Sequence, residues 1–236
     1  MNKIAILMMA TVAAGAVLAA PANRNTKKAT AAEAAAAEAG AARDGKVVID
    51  QFPKTGRASC LSAPTINGQS IIGTCFNKPR KWIVLEAKYS TFAKWQDQLT
   101  FTWHVLLETK SATENKGNKE KLPPYSYFTA TVTYQNIPQG SHAASVCLPP
   151  SYLERFGEAK AVGLVISNAN GEMLTGDAMS EIKEIKSGTK FWEEKNVMDA
   201  KQADGEPFVE RRQGLVDRSK TIWALVNPND YEAVAQ

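Results

Sequence analysis

Two histidines and three cysteines are all that the 236 residues offer toward a metal site or a histidine-based catalytic constellation. His104 and His142 lie far apart with no short ligand spacing between them, so neither a zinc nor an iron signature is present. Charge of one sign is also scarce. With 28 Lys plus Arg against 24 Asp plus Glu, the net charge is only +4, too little for a nucleic-acid-coating protein. No apolar run after residue 22 approaches the roughly 20 residues of a membrane-spanning helix. Hydrophobic residues at 44% and charged residues at 22% match an ordinary globular domain. Global disorder and collagen-like or multi-span membrane classes are thereby excluded.

The N-terminus carries an export pattern. Lys3 precedes an unbroken run of apolar or small residues from Ile4 to Leu18, and Ala20-Pro21-Ala22 supplies the small residues of a cleavage site, which predicts a secretory signal peptide over residues 1–22. The alternative is an uncleaved anchor helix. No cysteine sits at the cleavage point, which disfavours a lipid anchor, and the Gly-Phe-Glu pattern of a pilin precursor is missing, so the chain is not itself an ordinary pilin subunit. Residues 23–44 are Ala-rich with scattered charge, as in Thr30-Ala-Ala-Glu33, and predict a spacer rather than core because no large side chain is there to dock. A short oligomerising helix is the competing possibility.

Beyond Asp44-Gly45 the pattern becomes alternation. Leu99, Phe101, Trp103, Val105 and Leu107 share one face of a strand, opposite Thr100, Thr102, His104 and Glu108. Tyr125 to Tyr134 repeats this, with Phe128, Ala130, Val132 and Tyr134 opposite Tyr127, Thr129, Thr131 and Thr133. Further strands are predicted at Val47 to Phe52, Trp82 to Tyr89, Ser141 to Leu148, Ala161 to Ser167 and Met179 to Lys186. Turn residues separate them at Asn67-Gly68, Lys78-Pro79, Pro123-Pro124, Pro138-Gln139-Gly140, Pro149-Pro150 and Asn170-Gly171. Many short strands without regular helices between them predict a mainly all-β protein, an antiparallel β-sandwich over residues 45–187. Helix is expected around Ser151 to Phe156. Residues 188–236 read as an extension packed back on the sandwich, with Lys195 to Pro207 a polar loop and Ile222 to Val226 a possible edge strand. A separate domain of that size would be too small to hold itself together.

Cys60 and Cys75 stand symmetrically about Asn67-Gly68, so a two-residue hairpin would place them opposite each other, within disulfide reach. An oxidising compartment would let the Cys60–Cys75 bridge form and leave Cys147 as a buried thiol. Pro64 weakens that register. The alternative joins Cys147 to one of the others, as in an inter-sheet bridge beside Trp82 or Trp103.

No catalytic constellation emerges, and no cofactor or metal is implied. Cys147 and His142 fall on opposite faces of one strand, roughly 16 Å apart, so the pair reads as structural rather than as nucleophile and base. Asn168-Ala-Asn170-Gly171-Glu172, near Asp177, lacks the alternating acids of a calcium loop and reads as a hairpin turn. Glu193-Glu194, Asp204 and Glu206 lie in a polar stretch and read as solvated acids. Lys116, Lys119 and Lys121 form one basic spot and Arg211-Arg212 a second, either able to meet an anionic glycan or membrane surface. The remaining feature is a possible interaction face, Tyr125 and Tyr127, whose aromatic row would stack on sugars or form a protein interface unless the C-terminal extension covers it.

A signal peptide, an Ala-rich spacer and a β-rich run including Thr100-Phe-Thr-Trp103-His-Val and Phe128-Thr-Ala-Thr-Val-Thr-Tyr134 together resemble the secreted immunoglobulin-like proteins encoded beside type IV pilus genes in mucus-dwelling verrucomicrobial bacteria. The resemblance spans most of the chain by general pattern. It implies an immunoglobulin-like β-sandwich, export to periplasm, cell surface or medium, and no enzymatic role. The implied partners are envelope or pilus proteins, including further copies of the chain as a homo-oligomer. The alternative partner is a host glycan such as mucin, with no nucleic acid involved.

Overall fold

The computed structural model describes residues 46–63, 80–109 and 122–225. The chain divides into two units, Met1–Ala41 and Ala42–Gln236. The expected signal peptide, the whole of the spacer, Cys75, the Asn67-Gly68 and Lys78-Pro79 turns, the Lys116 to Lys121 tip and Val226 lie outside the described residues.

The described part is all-β and sandwich-like. Its frame is two long strands, β3 (Lys81–Glu108) and β4 (Tyr125–Leu148), paired antiparallel along most of their length. The predicted strands at Trp82 to Tyr89 and Leu99 to Leu107 are thus the two arms of β3. Those at Tyr125 to Tyr134 and Ser141 to Leu148 are likewise the two arms of β4. Around this hairpin lie β1 (Val47–Gln51) and β2 (Cys60–Ser62) on the first arm of β3. The hairpin of β5 (Glu158–Asn168) and β6 (Met173–Ser180) lies on its second arm. Short strands β7 (Val209–Arg212) and β8 (Val216–Asp217) flank β4. One eight-stranded sheet results, antiparallel except where β7 runs parallel to β4.

The two layers are made by bending this one sheet. Tyr89 and Phe101 lie on the same strand, where twelve extended residues would separate them by about 40 Å, yet their ring centroids are 4.9 Å apart. The bend sits where the three residues of β3 between Thr91 and Trp95 answer the single residue of β4 between Gly140 and Pro138. Such a bulge bends the strand that carries the surplus. Thr91 pins it: its hydroxyl donates to the Pro138 carbonyl at 2.7 Å and accepts from the Gly140 amide at 3.2 Å. Gly140 takes a positive φ of 143° there, open to glycine alone, and Asn136 one of 55°. Pro138, expected to end a strand, instead lies inside the bent β4.

Alternation then decides the core. Ile83, Leu85, Ala87 and Tyr89 from the first arm of β3 meet Leu99, Phe101, Trp103, Val105 and Leu107 from the second, all fully buried. Helix α1 (Pro150–Phe156) has Pro150 at its first turn, where the missing amide costs nothing, and it buries Phe156 against Phe128.

Two expectations fail near the C-terminus. The strand expected at Met179 to Lys186 ends at Ser180, because the outward carbonyl of Ala178 accepts from the Gly188 amide and the Ser187 side chain serves Ser180. Ile182 and Ile185 turn instead to the outer face of the sheet. Ile222 to Leu225 is a 3₁₀ turn rather than an edge strand. The polar loop after Lys195 holds a single turn of helix, α2 (Lys195–Met198).

Candidate functional site

The outer face of the second arm is where the chain places most of its unusual chemistry. Thr102, His104 and Leu106 project there, as strand alternation requires, and Tyr127 comes up beside them from β4. The segment from Ile182 to Val209 crosses this face and buries Phe191, Met198 and Val209 against Leu106, Tyr127 and Ala161. Trp192 lies flat on the His104 ring, with centroids 4.1 Å apart and planes within 4°. That approach needs Gly163, the β5 partner of His104, since a Cβ at 163 would fall inside the Trp192 ring. Nδ1 of His104 sits 2.6 Å from the Tyr127 hydroxyl. Burial pushes the imidazole down to about 4, so it is neutral at physiological pH.

Tyr125 and Tyr127 therefore do not stand as an open row. Tyr127 is buried and its hydroxyl is engaged, with its own titration pushed upward chiefly by burial. Tyr125 is half-buried, its ring 5.3 Å from that of Phe208. Ile182 and Ile185 pack on the same outer face.

The cysteines part company by face. Cys60 opposes Ile83 and shares its inward side, whereas Cys147 opposes Val84 and points the other way, where Asp217, Arg218 and Thr221 act on it. A Cys60–Cys147 bridge would need a one-residue slip of the sheet. Burial pushes the Cys147 thiol up to about 12, with Asp217 adding to the rise and Thr221 and Arg218 opposing it. His142 lies on the opposite face of β4, donating from Nε2 to the Pro138 carbonyl at 2.8 Å as part of the bend. Cys147 and His142 are thus not brought together. Asn168 Oδ1 accepts from the Asn170 and Glu172 amides, completing the β5–β6 hairpin turn, and Asp177 Oδ1 accepts from the Ala178 amide. Glu193 pairs with Lys190, and Asp204 accepts from the Glu206 amide in a tight turn.

Three surface features escaped the sequence reading. At the bend, Phe92 and Trp95 are exposed, Trp95 by 58%. The signal for them lay in Ser90-Thr-Phe-Ala-Lys-Trp95, where the alternation breaks between two well-patterned arms. The second is a cleft of about 390 Å³ between α1 and the end of β7, lined by Tyr152, Arg155, Phe156, Arg211, Arg212 and Gln213. Only Arg211 and Arg212 were visible as a basic spot, because the contribution of Arg155 depends on how α1 docks. A further cleft of about 400 Å³ lies where the edges of β1 and β6 face each other, along residues 46–49 and 174–177. Among the described residues, no three His, Cys, Asp or Glu side chains gather as a metal site, and no helix is long and apolar enough to cross a membrane.

A protein-family model matches residues 58–233. No curated protein matches the chain. Among solved structures, a crystal structure of a protein from Akkermansia muciniphila is similar over 81% of this chain and 93% of its own, at 18% identity and a TM-score of 0.55. The likeness supports the fold. A β-D-glucoside glucohydrolase from Trichoderma reesei aligns at 11% identity over 57% of this chain and 17% of its own, with a TM-score of 0.17, too weak a likeness to bear on function.

Proposed function

We propose that this chain, which belongs to the family whose model matches residues 58–233, is an exported, non-enzymatic structural or interaction protein of the bacterial envelope, associated with type IV pili or surface attachment. The observation that carries an interaction role is the exposed Trp95 beside Phe92 at the bend. Among the described residues Trp95 is the most exposed aromatic, and an exposed tryptophan on a rigid strand suits a protein contact, where such residues dominate binding. The bend is held by Thr91 on both long strands, so the contact would meet its partner with little ordering cost.

A non-enzymatic role is favoured by what the two most reactive side chains are doing. The ring of His104 is stacked and hydrogen-bonded under the C-terminal cover, and the thiol of Cys147 is held far from its nucleophilic form. Export is supported by the N-terminal residues, and pilus association by the resemblance of the β-rich run to secreted proteins encoded beside pilus genes. An exported chain would carry the Cys60–Cys75 bridge, which peptide mapping without reduction checks.

Fractionation of cells into sheared filaments, periplasm and culture fluid tests the whole. Co-sedimentation with filaments through a salt wash is expected, with Trp95→Ser shifting the protein to the soluble fractions. A wild-type protein confined to periplasm or medium would overturn the fibre association.

A further inference from the structure

Tyr125 stays half-buried at the far end of the outer face, where acids outnumber the cations that answer them. Glu108 lies directly across from Tyr125 on one side and from Glu158 on the other, so the ring and two carboxylates form one row over β4, β3 and β5. Like charges placed opposite each other in a ladder repel, and stability alone gives no reason to keep such a pair. Glu158 reaches Arg57 at 3.7 Å, and Glu181 pairs with Lys160 at 3.0 Å. Glu108 and Glu158 also act on that ammonium. Glu108 and Glu184 themselves make no ion pair with a described residue. Both bear on the Tyr125 hydroxyl, whose titration is pushed upward by burial first and then by these two acids, with Lys160 opposing. On β7, Arg211 stands opposite Tyr127 and acts on that hydroxyl instead. Lys160 and Arg57 thus face Glu108, Glu158, Glu181 and Glu184, and two negative charges are left over. Beside them the Phe208 ring stands 5.3 Å from that of Tyr125, tilted by 53°, and keeps 36% of its surface exposed. The pair is fixed through the backbone, since the Tyr125 amide donates to the Phe208 carbonyl at 3.2 Å.

We propose that this corner docks an arginine side chain of a partner protein, its guanidinium laid against the Tyr125 and Phe208 rings and held by the Glu108 and Glu184 carboxylates. A guanidinium stacks on an aromatic face while its edge donates to carboxylates, so one side chain uses both halves of the corner. An ammonium is more strongly hydrated and offers no flat face to the rings. The bound cation also offsets the repulsion between Glu108 and Glu158, which gives the opposed pair a reason to be there. An acidic partner meets like charge and is turned away. The corner lies at the opposite end of the second arm of β3 from Trp95, and it goes beyond the contact assigned to the bend without depending on it.

The test is an NMR titration of the mature protein at fixed ionic strength with an end-blocked hexapeptide carrying two arginines. The same peptide with citrulline in place of arginine, methylguanidine and N-acetyllactosamine are the comparisons. Shifts are expected at the amides of residues 108, 125 and 208, with the arginine peptide binding at least about ten-fold more tightly than any comparison. Glu108→Gln should weaken that binding about ten-fold without lowering the melting temperature, because it also removes the repulsion from Glu158. Phe208→Leu should weaken it about three-fold through the loss of one ring face. Glu86→Gln, which removes an exposed acid from the other arm of β3, should leave it within about two-fold of wild type. Equal weakening by Glu86→Gln and Glu108→Gln would overturn the proposal by showing attraction to overall charge alone. So would equal binding of the citrulline peptide or methylguanidine, tighter binding of the sugar, or no binding of the arginine peptide at this corner.

Discussion

Replacing His104 changes how the stability of the protein depends on pH, and the size of the change follows from its burial. The imidazole is 8% exposed, capped by Trp192 on one side and bonded to Tyr127 at Nδ1, and its titration falls from 6.5 to about 4. Above pH 6.5 the ring is neutral in folded and unfolded chains alike, so its full contribution is present. Between 6.5 and about 4 the unfolded chain binds a proton that the native ring refuses, and stability falls as pH falls. Below that window both states are protonated and the slope ends. The drop is about 1.4 kcal/mol per pH unit and about 3 kcal/mol in all. Acids such as Glu181, held below the usual range by the Thr55 hydroxyl and by Lys160, weaken the fold in the same direction at the lower end. The signal is therefore the difference between wild type and His104→Gln. Urea unfolding followed by circular dichroism at one-unit steps from about pH 7 to pH 4 measures it. The stability advantage of wild type should shrink by about 3 kcal/mol across that range. A difference that stays constant from pH 7 to pH 4 would refute a neutral, buried His104.

Two further outcomes follow from the same packing. Gly163→Val should displace Trp192 from the His104 ring, lowering stability by about 2 kcal/mol or more and shifting tryptophan fluorescence to the red. Unchanged emission would mean that the cover does not press on β5. Cys147, fully buried and with its thiol pushed up to about 12, should resist thiol reagents at pH 8 until the protein unfolds. Labelling of native protein at the rate of a free peptide thiol would show that Cys147 is not held buried.

The strand alternation was legible because it reports burial directly. Leu99 to Leu107 and Phe128 to Tyr134 fell on the faces expected of them. The same alternation correctly sent His142 and Cys147 to opposite sides of β4. What alternation cannot carry is continuity. Pro138-Gln139-Gly140 reads as a turn, yet with the Thr91 bulge opposite it becomes a bend inside one long strand, and two expected pairs of strands become a single bent hairpin. The outer face was half legible. His104, Tyr127 and the aromatics of the extension were all noticed, but their convergence required Gly163, whose lack of a side chain leaves no periodic mark. The Arg155 cleft depends on the docking of a seven-residue helix against a strand more than fifty residues away, a contact set by tertiary packing alone.

Site-specific photo-crosslinking in intact cells, with a photoreactive phenylalanine at position 95, addresses the interaction role most directly. Position 57 serves as control, since Arg57 is even more open to solvent on the 3₁₀ turn ahead of β2. A discrete adduct with one envelope or fibre protein from position 95, absent from position 57, is the expected result. No adduct at 95, or the same adducts at both positions, would contradict a protein-binding role for the bend.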